Sequence, residues 1–252
     1  MNEVLSMKWV VPLLVVLFSV VSPSRAMAQP DLASILESPA RPQEDRDRDA
    51  SRRPAEVIEF FGIERGAHVA DLLTGGGYWT RILVPLVGPE GRVFAGNNPF
   101  FDEFFGDAFD ALLAEPAFAS VVRIDGPVDE IALPEDGSLD AVIMVMAYHD
   151  LFLTDEDRGV LNRKVFAALK PGGVYGIIDH EAGEGVGASQ VEALHRIEKR
   201  IVVDEIEAAG FRLADEADFL RNEADDHSSG IFDPEIAGNT DRFVLRFEKP
   251  SE

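Results

Sequence analysis

The stretch VADLLTGGGYWT, residues 69–80, carries the most informative pattern in the chain. An apolar run ends at Leu73, glycines occupy positions 75–77, and apolar and aromatic residues resume at Tyr78. This order predicts a β-strand, a tight glycine turn and a helix that begins directly after the turn. Glycine lets the backbone approach a ligand closely, and the first amides of the helix then face the polar groups of that ligand. The stretch therefore predicts a ligand site where a strand of an α/β fold ends.

This turn differs from the G-x-G-x-x-G turn of dinucleotide-binding folds, because an acidic residue lies inside the strand that precedes it. Asp71 stands four residues before Gly75. A carboxylate so close to the turn repels a pyrophosphate, but it balances the charge of a cationic ammonium or sulfonium group. We therefore assign Asp71, Thr74, Gly75 and Gly77 to cofactor binding. A plain tight turn with no ligand is the alternative interpretation.

The rest of the chain alternates strand patterns with helix patterns. Strands are predicted at residues 68–73, 92–96, 121–124, 139–146, 173–179, 211–218 and 242–248. Helices are predicted at 54–61, 78–87, 155–169 and 188–209, with a further helix ending near residue 115. The runs 139–146 and 173–179 are almost entirely apolar, which is typical of central strands covered on both faces. The alternation predicts a parallel-type sheet with helices on both sides.

Three of these segments, in this order, resemble class I S-adenosylmethionine-dependent methyltransferases. Residues 69–80 are similar to motif I of that superfamily, LDAVIMVMA at 139–147 to its fourth strand, and LKPGG at 169–173 to the turn before its fifth strand. The resemblance covers about residues 53–249. It implies a Rossmann-like, doubly wound sheet of about seven strands, mostly parallel with an antiparallel last strand. It also implies S-adenosylmethionine as cofactor and a small-molecule acceptor.

Shorter motifs resemble a narrower family of exported bacterial predicted methyltransferases. These are GYWT at 77–80, YHD at 148–150, DH at 179–180 and the tail segments FDP at 232–234 and TDRF at 240–243. The resemblance names no substrate.

The second predicted strand departs from the superfamily pattern. Most class I methyltransferases end this strand in Asp or Glu, which holds the ribose hydroxyls of the cofactor, whereas this chain has Asn97 and Asn98 before Pro99. An amide also bonds to a hydroxyl, although more weakly than a carboxylate does. We assign Asn97 to the ribose; the alternative is that both asparagines only form the turn before Pro99.

Other residues near the predicted strand ends are candidates for the remaining cofactor groups. Asp125 follows the third strand and is assigned to the adenine amino group, with capping of the following turn as the alternative. Arg52 and Arg53, at the start of the first predicted helix, are candidates to reach the cofactor carboxylate.

Two histidine motifs follow the fourth and fifth strands, where an open α/β sheet places its chemistry. They are Tyr148-His149-Asp150 and Asp179-His180-Glu181. We assign His149, His180 and Asp150 as catalytic, one histidine acting as general base toward the acceptor and a carboxylate supporting it, with no metal. One alternative is a divalent metal held by His149, Asp150, His180 and Glu181. Another is that these side chains only hydrogen-bond the loops.

A further histidine, His195, falls inside the predicted helix 188–209, in the middle of a charged run. It ranks below the other candidates and is predicted to be solvated or to contact a neighbouring helix.

The charge and the cysteine content of the chain exclude several classes of binding partner and chemistry. The chain has 252 residues and a formal net charge of −23. Such a field repels phosphate backbones and anionic lipids, so a nucleic-acid substrate is not expected. There is no cysteine, which excludes disulfides, thiolate metal sites and a cysteine nucleophile. The oligomeric state is not predicted.

The amino terminus has the features of a secretory signal. Lys8 precedes an apolar run at 9–21, and Ala26-Met27-Ala28 is a small-x-small cleavage site. The prediction is a signal peptide at 1–28, a polar leader at 29–51 that wraps the surface or frays, and one methyltransferase-like domain at 52–252. A periplasmic or secreted protein with no stable membrane insertion follows; an uncleaved anchor helix is the alternative.

The predicted function is S-adenosylmethionine-dependent methyl transfer to a small-molecule acceptor. Export weighs against it, because the cofactor is made in the cytoplasm. The alternatives are a non-catalytic ligand-binding protein with the same fold, and a metal-assisted enzyme of other chemistry.

Overall fold

The computed structural model describes residues 31–251, so the predicted signal peptide lies outside the described residues. Its strands are β1 (His68–Leu72), β2 (Arg92–Gly96), β3 (Val122–Arg123), β4 (Leu139–Val145), β5 (Leu169–His180), β6 (Arg212–Ala217) and β7 (Arg242–Glu248). They form one seven-stranded sheet in the order β3-β2-β1-β4-β5-β7-β6. The strands from β3 to β5 are parallel neighbours, and β7 is antiparallel to both β5 and β6. This confirms the predicted Rossmann-like α/β sheet with an antiparallel last strand.

The helices connect the strands and flank the sheet. They are α1 (Leu32–Leu36), α2 (Gln43–Arg52), α3 (Pro54–Phe61), α4 (Tyr78–Val87), α5 (Pro99–Leu113), α6 (Arg158–Ala168), α7 (Val191–Leu194) and α8 (Lys199–Ala208). Short 3₁₀ turns lie at Pro116–Phe118 and His149–Leu153. Among residues 31–251, none of the helices has both the length and the apolarity that a bilayer crossing requires.

The central strands are buried on both faces, as their apolar runs predict. Along β4, Val142 and Met144 pack into one core cluster, whereas Ala141 and Ile143 pack into the other. Side chains alternate across a strand, so each face of β4 contributes to a separate core. At these central strands a ligand can therefore approach the sheet only where the strands end.

The predicted continuous helix at 188–209 is wrong. The chain leaves helical geometry at His195, which has a φ of 53°, and α8 begins at Lys199. Between them, Ile197 donates its backbone N–H to His180 O at 3.0 Å and accepts from Ala182 N at 3.0 Å. Pairing with the chain that leaves β5 thus overrides the local helix preference of this segment.

The polar leader is helical and packs against the domain. From α2, Asp49 accepts hydrogen bonds from Tyr78 Oη at 2.5 Å and from Arg41 Nη2 at 2.7 Å. Arg242 Nη2 donates to Ser51 O at 2.8 Å. These contacts hold the end of α2, and with it Arg52, beside the helix that follows the glycine turn.

Candidate functional site

Asp71 lies beneath the glycine turn and fixes its shape. Its Oδ2 atom accepts hydrogen bonds from Thr74 Oγ1 at 2.6 Å and Thr80 Oγ1 at 2.8 Å. Burial raises the pKa of Asp71, whereas the two hydroxyls and the charge of Arg52 lower it. Burial is the larger effect, and the pKa is about 6. The carboxylate thus joins the turn to the first residues of α4.

The turn requires its glycines for two separate reasons. Gly75 and Gly77 have φ values of 59° and 85°, in the left-handed region that side chains disfavour. A Cβ atom on Gly77 would also lie 2.2 Å from Leu112 Cδ2, well inside van der Waals contact. A Cβ on Gly75 would lie 3.7 Å from the ring of Phe105, so an aromatic side chain borders the turn.

The structure explains why β2 ends in asparagine rather than an acid. Asn97 accepts a hydrogen bond from Gly75 N at 2.9 Å and donates from Nδ2 to Gly75 O at 3.1 Å. A carboxylate accepts but cannot donate, so only the amide matches both backbone groups. Asn98 caps α5, accepting from Phe101 N at 2.9 Å. The structure places both amides on protein groups, and Asn97 is fully buried.

Two carboxylates lie near the end of β2. Asp125 accepts from Asn97 N at 3.0 Å and pairs with Arg123, so it braces the strand ends. Asp102, in the first turn of α5, has a buried Oδ1 atom with no hydrogen-bond partner. Burial, followed by the charge of Asp125, raises the pKa of Asp102. No sequence pattern pointed to Asp102, because it lies inside a phenylalanine-rich helix.

Arg52 brings a positive charge to the turn without forming an ion pair there. Its guanidinium lies 4.3 Å from the centre of the Tyr78 ring, and it makes no ion pair or hydrogen bond with another residue of 31–251. Burial and the charge of Arg48 lower the pKa of Arg52 to about 10, so it remains cationic at neutral pH. Arg53, by contrast, turns away and binds Glu56 at 2.7 Å.

The second half of the site forms where β4 and β5 end side by side. Their parallel pairing brings the ring centres of His149 and His180 to within 5.7 Å, so the two predicted histidines do lie close together. Asp179 accepts from His149 Nδ1 at 2.7 Å and from the His149 backbone N at 2.8 Å. Asp179 and His149 are both almost completely buried. The carboxylate therefore fixes the orientation of the His149 ring.

The opposite edge of the His149 ring faces Asp150 and a third histidine. His149 Nε2 lies 3.1 Å from Asp150 Oδ1, but its N–H direction misses that oxygen and it makes no hydrogen bond. His195 Nδ1 lies 3.0 Å from the same oxygen. His195 was predicted to be a solvated or inter-helix contact; the break after α7 instead brings it beside Asp150. Glu181 instead binds Arg221 at 3.2 Å, outside this cluster.

The two predicted catalytic histidines differ in charge. Burial favours a neutral His149 ring, but the charges of Asp179 and Asp150 outweigh it and raise the pKa of His149 to about 10. Burial, and then the charge of His149, hold the pKa of His180 well below its ordinary value. His180 Nδ1 lies 2.7 Å from Thr240 Oγ1. The His180 ring is therefore neutral at neutral pH and has the unprotonated nitrogen that a base needs.

Backbone strain is concentrated around the glycine turn and the histidine cluster. Among the non-glycine residues with positive φ, Leu73 lies just before the glycine turn, Met146 just after β4, and His195 at the end of α7. Left-handed geometry costs such residues about 1–2 kcal/mol each. Strain of this kind persists where the surrounding structure enforces it, which is common at functional sites.

Solved structures with this topology are methyltransferases in many cases. An S-adenosylmethionine-dependent methyltransferase from Aquifex aeolicus matches with a TM-score of 0.57 at 20% identity, over 87% of this chain and 98% of that chain. Phosphoethanolamine N-methyltransferase 2 from Haemonchus contortus, in complex with S-adenosyl-L-methionine, matches with a TM-score of 0.56 at 16% identity, over 79% and 52%. This is the class I methyltransferase fold.

The same fold also supports other chemistry. The [4+2]-cyclase SpnF matches with a TM-score of 0.55 at 18% identity, over 81% of this chain and 82% of that chain. No protein-family model and no curated protein matches the sequence. The reaction therefore has to be argued from the site residues.

The buried carboxyl beneath the turn predicts a specific pH dependence of stability. The folded protein holds the Asp71 proton to about pH 6, whereas the unfolded chain releases it near pH 3.8. The contribution of Asp71 to the free energy of unfolding is therefore greatest below pH 3.8. It falls by roughly 3 kcal/mol as the pH rises through 6, because the folded protein then has to lose the proton. Asp71→Asn removes the titration. Urea unfolding of both proteins from pH 4 to pH 7 should show the free energy of unfolding of the wild type falling relative to that of the variant as the pH rises. A difference that stays constant with pH would exclude this titration.

Proposed function

We propose that this protein transfers a methyl group from S-adenosylmethionine to a small-molecule acceptor at the carboxyl ends of β1, β4 and β5. The observation that carries the proposal is the unpaired Arg52 cation beside a glycine turn built over Asp71. A guanidinium that forms no ion pair or hydrogen bond within residues 31–251 has free donors for an anionic ligand group, and the cofactor has one carboxylate.

The residues present fit the other parts of this cofactor. Phe105 offers an aromatic surface beside Gly75 at the glycine turn. We assign the ribose hydroxyls to Asp102, whose unpartnered oxygen replaces the carboxylate that β2 lacks. This assignment differs from the sequence prediction, which placed Asn97 there.

When bound, S-adenosylmethionine supplies an electrophilic methyl group. The contribution of the chain is to hold donor and acceptor in line at near-attack distance and to keep bulk water away. Asp150 and His195 are partly exposed and are placed to orient the acceptor. Removal of the acceptor proton by His149 or His180, with Asp150 in support, stays a prediction; the neutral His180 ring is the better suited of the two.

Export of the protein is a further part of the proposal. It is supported by the predicted signal peptide at 1–28 and by the motif resemblance to exported bacterial methyltransferases. A periplasmic or secreted enzyme would receive its cofactor from the cytoplasm.

The chemical class of the acceptor can be identified by screening panels of compounds. Purified protein is incubated with S-adenosylmethionine and panels of small alcohols, amines, thiols and carboxylates, and released S-adenosylhomocysteine is quantified by mass spectrometry. We expect one panel to raise the release above the level without acceptor. Cofactor binding with no release from any panel would instead favour the non-catalytic ligand-binding protein.

The role of Arg52 predicts a selective loss of affinity. Arg52→Met keeps the side-chain length but removes the charge that faces the cofactor carboxylate. We expect calorimetry to show S-adenosylhomocysteine binding weakened about tenfold or more, the effect of a lost charge-assisted hydrogen bond.

Two controls make this result specific. Methylthioadenosine lacks the amino-acid part of the cofactor, so its affinity should not change in the Arg52 variant. Arg200→Met removes an equal charge from an exposed position that pairs with Asp204 on α8, and it should leave both affinities unchanged. An equal loss for both ligands would contradict the carboxylate contact.

A metal-assisted reaction is the second candidate function, because one observation favours it. The side chains of His149, Asp150 and His195 place three potential metal-ligand atoms within 4.8 Å of one another.

A further inference from the structure

The cluster at the ends of β4 and α7 has the donor set of a metal site. Two imidazole nitrogens, His149 Nε2 and His195 Nδ1, lie 3.1 Å and 3.0 Å from a single Asp150 oxygen. Ligand atoms held at about 2.1 Å by one ion are separated by about 3.0–3.4 Å when they subtend 90–109°. Both measured separations lie within that range.

A hydrogen-bonded chain does not account for all of this geometry. His149 Nε2 is buried and close to Asp150 Oδ1, yet its N–H misses the oxygen, which leaves a buried ring nitrogen without a hydrogen-bond partner. A buried polar atom left in this way is costly, and such atoms in native proteins call for an explanation. An ion between the three side chains supplies the missing partner.

The surroundings of His149 resemble the outer shell of a metal site. Metal-binding histidines usually donate their second ring nitrogen to a carboxylate, which fixes the ring and raises its basicity. His149 Nδ1 lies 2.7 Å from Asp179 Oδ1. Asp179 is itself held by the backbone N–H groups of His149 and His180, both at 2.8 Å. The orientation of His149 Nε2 toward Asp150 is therefore built into the ends of two strands.

The break between α7 and α8 supplies the third ligand. His195 adopts left-handed geometry, and the adjoining Arg196 is completely buried, with its guanidinium bonded to Asp225 and to Glu181 O. These contacts anchor the segment that carries the His195 ring. Asp150 and His195 retain 13% and 25% exposure, so the open side of the cluster can admit a substrate.

We infer that His149, Asp150 and His195 form a divalent metal site, with Asp179 as its supporting carboxylate. Two imidazoles and one carboxylate without thiolates suit a first-row ion such as Zn²⁺, Fe²⁺ or Mn²⁺ rather than Ca²⁺. Three protein ligands leave positions for an oxygen-bearing ligand of the ion. If the proposed methyl transfer holds, the acceptor class is a hydroxyl or carboxylate compound that binds the ion through oxygen; the metal site itself does not depend on that function.

Calorimetric titration of Zn²⁺ into purified, chelator-treated protein tests the site. We expect one equivalent to bind, and we expect His195→Ala and Asp150→Asn to bind at least about tenfold more weakly. His68→Ala is the matched control, since His68 lies at the opposite, amino end of β1 and its loss should leave Zn²⁺ affinity unchanged. Circular dichroism confirms that each variant is folded.

Two outcomes would overturn the site. One is no Zn²⁺ binding by folded wild-type protein; the other is an affinity in His195→Ala equal to that of wild type. Titration of the same samples with S-adenosylhomocysteine separates the two proposals. Cofactor binding without metal binding removes only the metal site, and metal binding without cofactor binding removes only the methyl transfer.

Discussion

Replacing Asp225 by alanine is expected to lower the free energy of unfolding by about 3–5 kcal/mol. Arg196 is fully buried, and its Nη2 atom lies 2.9 Å from one Asp225 oxygen and 3.0 Å from the other. Asp225 also accepts from the backbone N–H groups of His227 and Asp241. The alanine variant leaves a guanidinium and two amides without this acceptor, and a buried charge stripped of its partner is among the most destabilising changes known.

Urea denaturation followed by circular dichroism measures this effect. Asp226→Ala is the control, because Asp226 is the next residue, is exposed, and its hydrogen bonds are local ones to Ser228. It should change the free energy of unfolding by less than about 1 kcal/mol. Equal effects of the two substitutions would show that the pair with Arg196 does not stabilise the fold.

Gly77→Ala should be the most damaging of the glycine substitutions at the turn. The methyl group would have to share space with Leu112 Cδ2, and the backbone would remain at a φ of 85°. Left-handed backbone costs a residue with a Cβ about 1–2 kcal/mol, and overpacking a core contact adds about 1–3 kcal/mol. The sum predicts a loss of about 2–5 kcal/mol in the free energy of unfolding, together with weaker S-adenosylhomocysteine binding.

A second glycine separates the two contributions. Gly62 ends α3 with a φ of 65°, but a Cβ atom there would meet nothing within 4 Å. Gly62→Ala should therefore show the backbone cost alone, about 1–2 kcal/mol, and leave cofactor binding unchanged. If thermal and urea unfolding gave both variants the same loss, Leu112 would be relaxing freely and the overlap argument would fail.

The features that were predictable from sequence are those set by local pattern. The apolar run before Leu73 and the glycines after it define β1 and its turn, because strand burial and left-handed geometry depend on the residues themselves. Parallel strands end at one edge of a sheet, so the pairing of β4 with β5 brings His149 and His180 together as expected.

Features that depend on distant partners were not predictable. The apolar spacing across 188–209 is helical, and the break that delivers His195 comes from the pairing of Ile197 with His180. Asn97 was compatible with a ribose contact or a turn. Its actual partner is Gly75, a residue 22 positions away that offers both a donor and an acceptor. No pattern within a single segment carries such information.

The position of the leader, residues 29–51, also depends on distant partners. The polar composition of the leader predicts a segment that wraps the surface or frays, but it does not predict where the segment docks; in the structure, contacts of Asp49, Tyr78 and Arg242 hold α2 on the domain. Its docking places Arg52 beside the glycine turn, so a segment with little apolar surface of its own supplies the cation on which the proposed cofactor contact depends.

Calorimetric titration of the purified protein with S-adenosylhomocysteine tests the proposed cofactor site most directly. We predict one micromolar site per chain, lost in Asp71→Ala, which removes the carboxylate under the turn. No heat of binding at millimolar ligand, from wild-type protein shown to be folded, would contradict the proposed methyl transfer and leave the class I fold with a different use.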